Sequence, residues 1–368
     1  MNKYALIFLL AFVTISCSDK NDVSVEELQL SGTAINIDPS SIFRQPQLLI
    51  GDNVITMETF GKKDGQVGFL KDNKLGKTES LYEVGKGHNE FTYIKYAKGI
   101  DKSLLLLDGT IRLFSMTVIP DAKSIDDLKN RSNWKKYNLK NMESVLAQGS
   151  NFYPLSDSTI LMCATPDKYF GHVISIIDYK NQTCQPLDFW PDDGIEIDSL
   201  VKCRVYTGNS EIYGNGKGRY LYNLFNDGLY TFIFSIDKNK INVVKDLYTT
   251  YPKYRTKNHV DIIRESIIPE RVTCATSDKY IYLMHIDSDR EGNKIDMANY
   301  KRNHQTLHAN TIDMYDWDGN LLKRLKLDHY GHRLMLSDDN CILYLLTDSY
   351  WDGDVNPQIW SYDLTGLE

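Results

Sequence analysis

The sequence lacks any run of about twenty apolar residues, the length a membrane-crossing helix needs, so no membrane-spanning helix is expected. It has no Cys-x-x-Cys pair, which removes zinc ribbons and thioredoxin-like redox motifs. No Gly-x-Ser-x-Gly is present, so nothing points to an α/β-hydrolase. Residues 214–218 read Gly-x-Gly-x-Gly, but no Gly-Lys-Ser/Thr opens a helix there, and a flexible inter-strand loop is expected instead of a phosphate cradle. A basic excess is missing too. The 42 Lys and Arg are outnumbered by 49 Asp and Glu, a formal charge of −7, which argues against a nucleic-acid partner. Long amphipathic helices are scarce, so a parallel α/β sheet is not expected.

What is present starts at the N-terminus. Lys3 precedes an apolar run over residues 5–15, followed by Ser16 and Cys17. The run fits the hydrophobic region of a secretory signal peptide. A small residue directly before a cysteine at its end resembles the bacterial lipobox, in which that cysteine becomes the lipidated first residue of the mature chain. The expectation is a signal peptide over residues 1–16, lipidation at Cys17, a polar tether over 17–26 and one domain over 27–368. Lipid on Cys17 would then anchor the folded part to the outer membrane. The stretch Ser18-Asp19-Lys20-Asn21-Asp22 resembles the acidic segment of some surface-exported lipoproteins. With Cys17 set aside, Cys163, Cys184, Cys203, Cys274 and Cys341 remain, an odd number. Buried free thiols are expected, with a Cys163–Cys184 bridge as the alternative in an oxidising compartment.

Most of the chain repeats one pattern: a short β-branched or aromatic run, a cluster of Asp, Asn, Gly or Lys, then another run. Residues 47–50 and 54–60, 103–107 and 110–116, 173–178 and 185–189, 230–236 and 241–247, and 311–315 and 321–327 each read as a hairpin. Helical patterning is confined to residues 124–131, where Ser124 can cap, and 141–148. Recurring hairpins over such a length predict an all-β domain, a β-propeller of six blades with four antiparallel strands each. Residues 27–37 precede the first hairpin and are placed to add a closing outer strand beside the last blade.

Candidate chemistry is sparse. His304 and His308 are spaced i, i+4, but no His-Glu-x-x-His accompanies them, and His329 and His332 flank a turn, so no metal or other cofactor is expected. Carboxylates cluster at Asp192, Asp193, Glu196 and Asp198 without EF-hand spacing. A second cluster holds Tyr350, Trp351, Asp352 and Asp354. There aromatic faces could stack on a sugar or peptide while carboxylates orient polar groups, which makes it the candidate ligand rim. The functional expectation is a non-catalytic binding or scaffold module for a glycan, a peptide or an envelope protein. The alternative is a lyase or hydrolase working from channel-facing Asp, Glu or His.

Two motifs carry a family resemblance. Val84-Gly85-Lys86-Gly87-His88-Asn89-Glu90-Phe91 resembles the Gly-x-Gly-Pro-x-Glu-Phe/Tyr signature of TolB-like six-bladed β-propeller lipoproteins, with His88 in the place of the usual Pro. Met314-Tyr315-Asp316-Trp317-Asp318-Gly319-Asn320 and the apolar strand after it resemble the C-terminal strand–turn–strand of the same family. The resemblance implies a propeller and structural roles for these motifs, and it brings no activity with it.

Overall fold

The computed structural model describes residues 25–40, 45–50, 54–58, 64–85, 90–92, 94–109, 114–121, 124–139, 151–163, 172–197, 199–208, 210–224, 229–257, 261–264, 272–285, 309–347 and 358–367. Cys17, His304, His308, residues 141–148 and the rim candidates Tyr350, Trp351, Asp352 and Asp354 lie outside them. No described helix is long and apolar enough to cross a membrane.

Three strands lead the chain: β1 (Glu26–Leu30), β2 (Thr33–Ala34) and β3 (Asn36–Ile37). Next come β4 (Gln45–Ile50), β5 (Val54–Glu58), β6 (Asp64–Lys71), β7 (Lys74–Leu75), β8 (Glu79–Val84) and β9 (Glu90–Phe91). One meander runs through β10 (Ile94–Lys98), β11 (Leu104–Gly109), β12 (Phe114–Ile119) and β13 (Lys135–Asn138), with helix α1 (Ile125–Lys129) between its last two strands. A second comprises β14 (Phe152–Pro154), β15 (Thr159–Met162), β16 (Ser175–Asp178) and β17 (Thr183–Pro186). Helix α2 (Ser199–Thr207) precedes the third, β18 (Ser210–Gly214), β19 (Tyr220–Leu224), β20 (Leu229–Asp237) and β21 (Lys240–Thr250). A ribbon of β22 (Tyr254–Lys257) and β23 (Asp261–Arg264) follows. The chain ends in β24 (Val272–Thr276), β25 (Tyr280–His285), β26 (Ala309–Asp316) and β27 (Leu321–Gly331), then β28 (Arg333–Leu336), β29 (Ile342–Thr347) and β30 (Gln358–Asp363).

These sheets stand around an axis, and the first strand of each neighbours the first strand of the next: β4 by β10, β10 by β14, β14 by β18, β24 by β28 and β28 by β4. The ring is a β-propeller. The expected six four-stranded blades are corrected: five sheets are regular blades, of four strands or, for β24–β27 joined by β1, five. The remaining place is filled by a composite seven-stranded sheet. Its central strand β6 pairs with β5 and β8 along one stretch and with β7 along another, so β3 and β7 form a wing that a regular blade lacks. Asp72 and Asn73, both at positive φ, fold β6 back into β7 before β8 is reached, and the strap strand β3 then pairs with β7.

Apolar clusters lie between neighbouring sheets. Tyr222, Phe232 and Phe234 join Leu161 and Cys163 in one; Leu325 and Leu327 join Leu343 and Leu345 in another. Alternation along each strand sends side chains to the two faces, and each face is buried by the next sheet. Helix α1 is capped as expected, Asp127 N–H donating to Ser124 Oγ at 3.1 Å. Helix α2 is not visible in the sequence pattern, because its buried Val201, Cys203, Val205 and Tyr206 do not form one clean stripe.

The N-terminal strap exceeds its expected role. β2 pairs with β30 and so completes the last blade, while β1 pairs in parallel with β27 and β3 in parallel with β7. Residues 26–37 therefore cover the outer edges of three consecutive sheets. Asp328 pins the strap by accepting from Gly32 N–H at 3.1 Å and from the Tyr362 hydroxyl at 3.1 Å, beside His329 at 2.8 Å.

Both family motifs act structurally. A Cβ on Gly85 would collide with the Glu90 carboxylate, and Gly85 N–H donates to the Phe91 carbonyl at 2.8 Å. In the second motif Gly319 sits at φ +83°, Asp316 Oδ1 accepts from Asn320 N–H at 2.8 Å, and the buried Trp317 donates to the Ser277 carbonyl at 3.0 Å.

Candidate functional site

The innermost strands β10, β14, β18, β24 and β28 line an axial cavity of about 780 Å³. All five run in the same sense, because each opens its own meander. The cavity therefore has one mouth where these strands start and another at the tight turns that end them.

The turn mouth is stitched by ion pairs. Lys98, at the end of β10, pairs with Asp338 beyond the end of β28, and Lys102 adds a 3.9 Å contact to the same carboxylate. Asp278 takes Lys217 at 2.9 Å and the Asn340 amide at 3.1 Å. The contacts to Asp278 tie adjacent turns together, and the Lys98–Asp338 pair joins the turns on either side of β4.

The other mouth is different. Asn151 at the start of β14 donates its amide to Glu211 Oε1 at 3.2 Å, and Tyr213 donates its hydroxyl to Glu211 Oε2 at 2.6 Å. Glu211 and Tyr213 are two apart on β18, so strand alternation puts them on one side. Burial and the neighbouring Glu211 charge hold the Tyr213 pKa well above its ordinary value, so the phenol stays protonated and donates. Cys274, on β24, is buried, and the same two causes raise its thiol. It forms a neutral patch of wall. Arg333, at the start of β28, lines the cavity, and its positive charge reaches the Tyr213 phenol. The start of β24 is held in place by a buried relay: Thr231 Oγ1 donates to Asn223 Oδ1 at 2.9 Å, and Asn223 donates to the Val272 carbonyl at 3.1 Å. The wall is thus a carboxylate, a phenol, a thiol and a guanidinium from three successive blades, with an amide from a fourth.

Of the chain's matches, no family model and no curated protein sequence is among them. Solved structures do match. A candidate exported protein of Bacteroides fragilis superposes with a TM-score of 0.52 at 10% identity, over 91% of this chain and 98% of that one. The shared feature is the fold. A gluconolactonase from Xanthomonas campestris gives a TM-score of 0.44 at 8% identity, over 88% of each chain. The β-propeller domain of Cps50 from Myceliophteria thermophila gives 0.40 at 9%, over 91% of this chain and 100% of that one.

None of the channel groups stands out in the sequence. Glu211, Tyr213, Cys274 and Arg333 are far apart along the chain and belong to no motif; only ring closure brings them together. The first acidic cluster resolves differently. Asp193 is fully enclosed and accepts from Lys202 at 2.6 Å, from the hydroxyls of Tyr206 and Tyr254 at 2.8 Å each, and from Ile195 N–H at 3.0 Å. It is a structural hub with no capacity left for a ligand. His332 is buried and donates its backbone N–H to the Leu346 carbonyl at 3.0 Å, while the His329 ring stacks on Trp360 with centroids 3.4 Å apart. The two rings serve separate surroundings, and among the described residues no group of three or more His, Cys, Asp or Glu is placed to hold a metal. The cysteines Cys163, Cys184, Cys203, Cys274 and Cys341 are free, so the Cys163–Cys184 bridge is not formed. Burial pushes the Cys163 thiol up to about 12, which leaves it inert as a nucleophile at neutral pH.

Proposed function

We propose that this propeller is a binding module carried on the cell envelope, with its ligand held at the mouth of the axial channel formed by Asn151, Glu211, Tyr213 and Arg333. The observation that carries the reading is the contrast between the two mouths. One is tied by ion pairs between blades; the other presents the Glu211 carboxylate, ordered by Asn151 and Tyr213, to a cavity large enough for a small ligand or the end of a glycan or peptide. The rim candidates Tyr350, Trp351, Asp352 and Asp354 belong to the same proposal. Thr347 and Gln358, which bound that segment, lie at this end of the ring, where Arg333 pairs with Leu346 in the register of β28 and β29. The alternative, a lyase or hydrolase, would draw on the same lining, where Glu211 faces the Tyr213 hydroxyl and no histidine is among the described residues.

A thermal-shift screen of short glycans, amino acids and peptides tests this. A ligand at a hundred times its Kd stabilises by about 2.7 kcal/mol, and Arg333→Ala is expected to abolish that shift while the free variant melts normally. A shift that Arg333→Ala leaves intact would place the site elsewhere.

The envelope location rests on Ser16-Cys17 after the apolar run, and on the TolB-like lipoprotein resemblance. β1 starts at Glu26 on the outer edge of a blade, so a lipid tether would leave from the ring's perimeter and keep the channel clear. Cys17→Ala is expected to move the protein from the membrane fraction to the soluble fraction. Retention of the variant in membranes washed without detergent would refute lipidation at this residue.

A further inference from the structure

We infer that the channel ligand is an uncharged, polyhydroxylated molecule, a saccharide whose hydroxyls pair with the wall built by β14 and β18. This rests on the channel reading above and names its ligand class. Asn151 and Tyr153 come from the start of β14, Glu211 and Tyr213 from β18, and all four line the cavity. The residues between them, Phe152 and Ile212, are buried in the clusters between blades. Strand alternation therefore turns each pair toward the channel and spaces its two residues about 7 Å apart along it. The Asn151 amide donates to Glu211 Oε1 at 3.2 Å and the Tyr213 hydroxyl to Glu211 Oε2 at 2.6 Å, while the Tyr153 oxygen accepts from Gly216 N–H at 3.0 Å. These bonds order all four side chains and, among the described residues, leave the rest of their capacity open. Glu211 uses two of about four acceptor sites, and Asn151 keeps its carbonyl oxygen and one N–H. The Tyr213 oxygen can still accept, and Tyr153 still has its O–H to donate. Burial holds the Tyr153 phenol above its ordinary range, so that proton stays in place at neutral pH.

The wall thus sets donors beside acceptors. A hydroxyl is both at once, and a sugar ring presents several of them in succession. An ammonium carries donors alone, so it would satisfy Glu211 and leave the Tyr153 O–H and the spare Asn151 N–H without an acceptor. A carboxylate or phosphate carries acceptors alone and would be repelled by the Glu211 charge.

Isothermal titration of the full-length protein with glucose, galactose, mannose and N-acetylglucosamine tests the inference, with glucosamine and glucuronate as charged rings of the same size. Saturable binding of at least one neutral sugar is expected, roughly tenfold tighter than of either charged ring. Glu211→Gln, which keeps the shape of the wall, is expected to weaken it roughly tenfold or more. Tyr153→Phe, which removes one O–H donor, is expected to weaken it about fivefold. Both variants are expected to melt close to the parent. Tighter binding of glucosamine or glucuronate overturns the uncharged class. Sugar binding that neither variant weakens places the saccharide outside this wall and overturns the inference. If no sugar binds, the inference falls. The channel reading survives that result only if an amino acid or peptide from the thermal-shift screen is lost with Glu211→Gln, and it falls as well if none is.

Discussion

Asp193→Ala is expected to destabilise the protein by about 3–5 kcal/mol, the usual cost of breaking a buried ion pair from one side. The Asp193 side chain has no solvent exposure, and Lys202 retains 14%. Removing the carboxylate strands that ammonium and leaves the hydroxyls of Tyr206 and Tyr254 without their shared acceptor. Three segments lose their common anchor: the loop before α2, α2 itself and β22. The carboxyl's pKa is also informative. Burial pushes it up, but the Lys202, Ile195 and tyrosine hydrogen bonds win, and the net direction is down from 3.8. A depressed folded-state value means the native state binds a proton less readily than the unfolded chain. The contribution is therefore complete above the ordinary carboxylate value and fades as pH falls through the depressed one. Urea titrations at neutral pH and at low pH should show the gap between parent and variant shrinking on acidification. A difference below about 1 kcal/mol at neutral pH would show that the site relaxes and that Asp193 is not the anchor.

Deletion of residues 26–37 is expected to cost about 5 kcal/mol or more and to leave a chain that self-associates. The strap buries Ile35 to 6% exposure among Leu70, Leu75 and Ile359, and losing such a side chain costs about 2–5 kcal/mol. Leu28 and Leu30 pack against the cluster between the last two blades. Hydrogen bonds from Ile35 N–H to the Ile359 carbonyl at 2.8 Å and from Asn36 N–H to the Asn73 carbonyl at 2.9 Å go as well, each worth about 1 kcal/mol net. The larger consequence is exposure of the outer edges of β27, β30 and β7, since unpaired strand edges template association. Size-exclusion chromatography and thermal unfolding of the deleted protein measure both effects. A monomer melting within a few degrees of the parent would mean that the strap only decorates a ring already closed by its blades. Asp328→Ala, which removes the acceptor for Gly32 but leaves the strands, provides the milder comparison.

Much of the architecture is legible in the chain because it depends on neighbours in sequence. Asp316, Gly319 and Asn320 make a turn wherever they occur between two apolar strands, since Gly319 alone tolerates the positive φ and the Asp316 carboxylate serves local N–H groups. The same holds for the hairpins at 230–247 and 311–327, whose paired strands follow directly on one another. The form of the ring depends on less local chemistry. Asp72 and Asn73 read as one more turn, and nothing in their neighbourhood says that β7 will fold away to meet β3 while β6 continues to β8. That outcome is decided by where the strap arrives.

The acidic stretch at 192–198 shows the same division. Its charge is visible in the sequence and invites a ligand reading. Its fate is settled by Lys202, Tyr206 and Tyr254, which approach only when α2 and β22 pack over it. Glu211 is the converse case: unremarkable among 49 acidic residues, it becomes distinctive because its neighbours in space are an amide and a phenol instead of a lysine. The sequence by itself determined that this chain forms antiparallel meanders joined by tight turns, because period-two alternation and turn residues act over a few positions. Only the tertiary structure decided how the ring closes, which acidic side chains are consumed as anchors and which one faces the channel, because those outcomes follow from contacts between blades that are far apart along the chain.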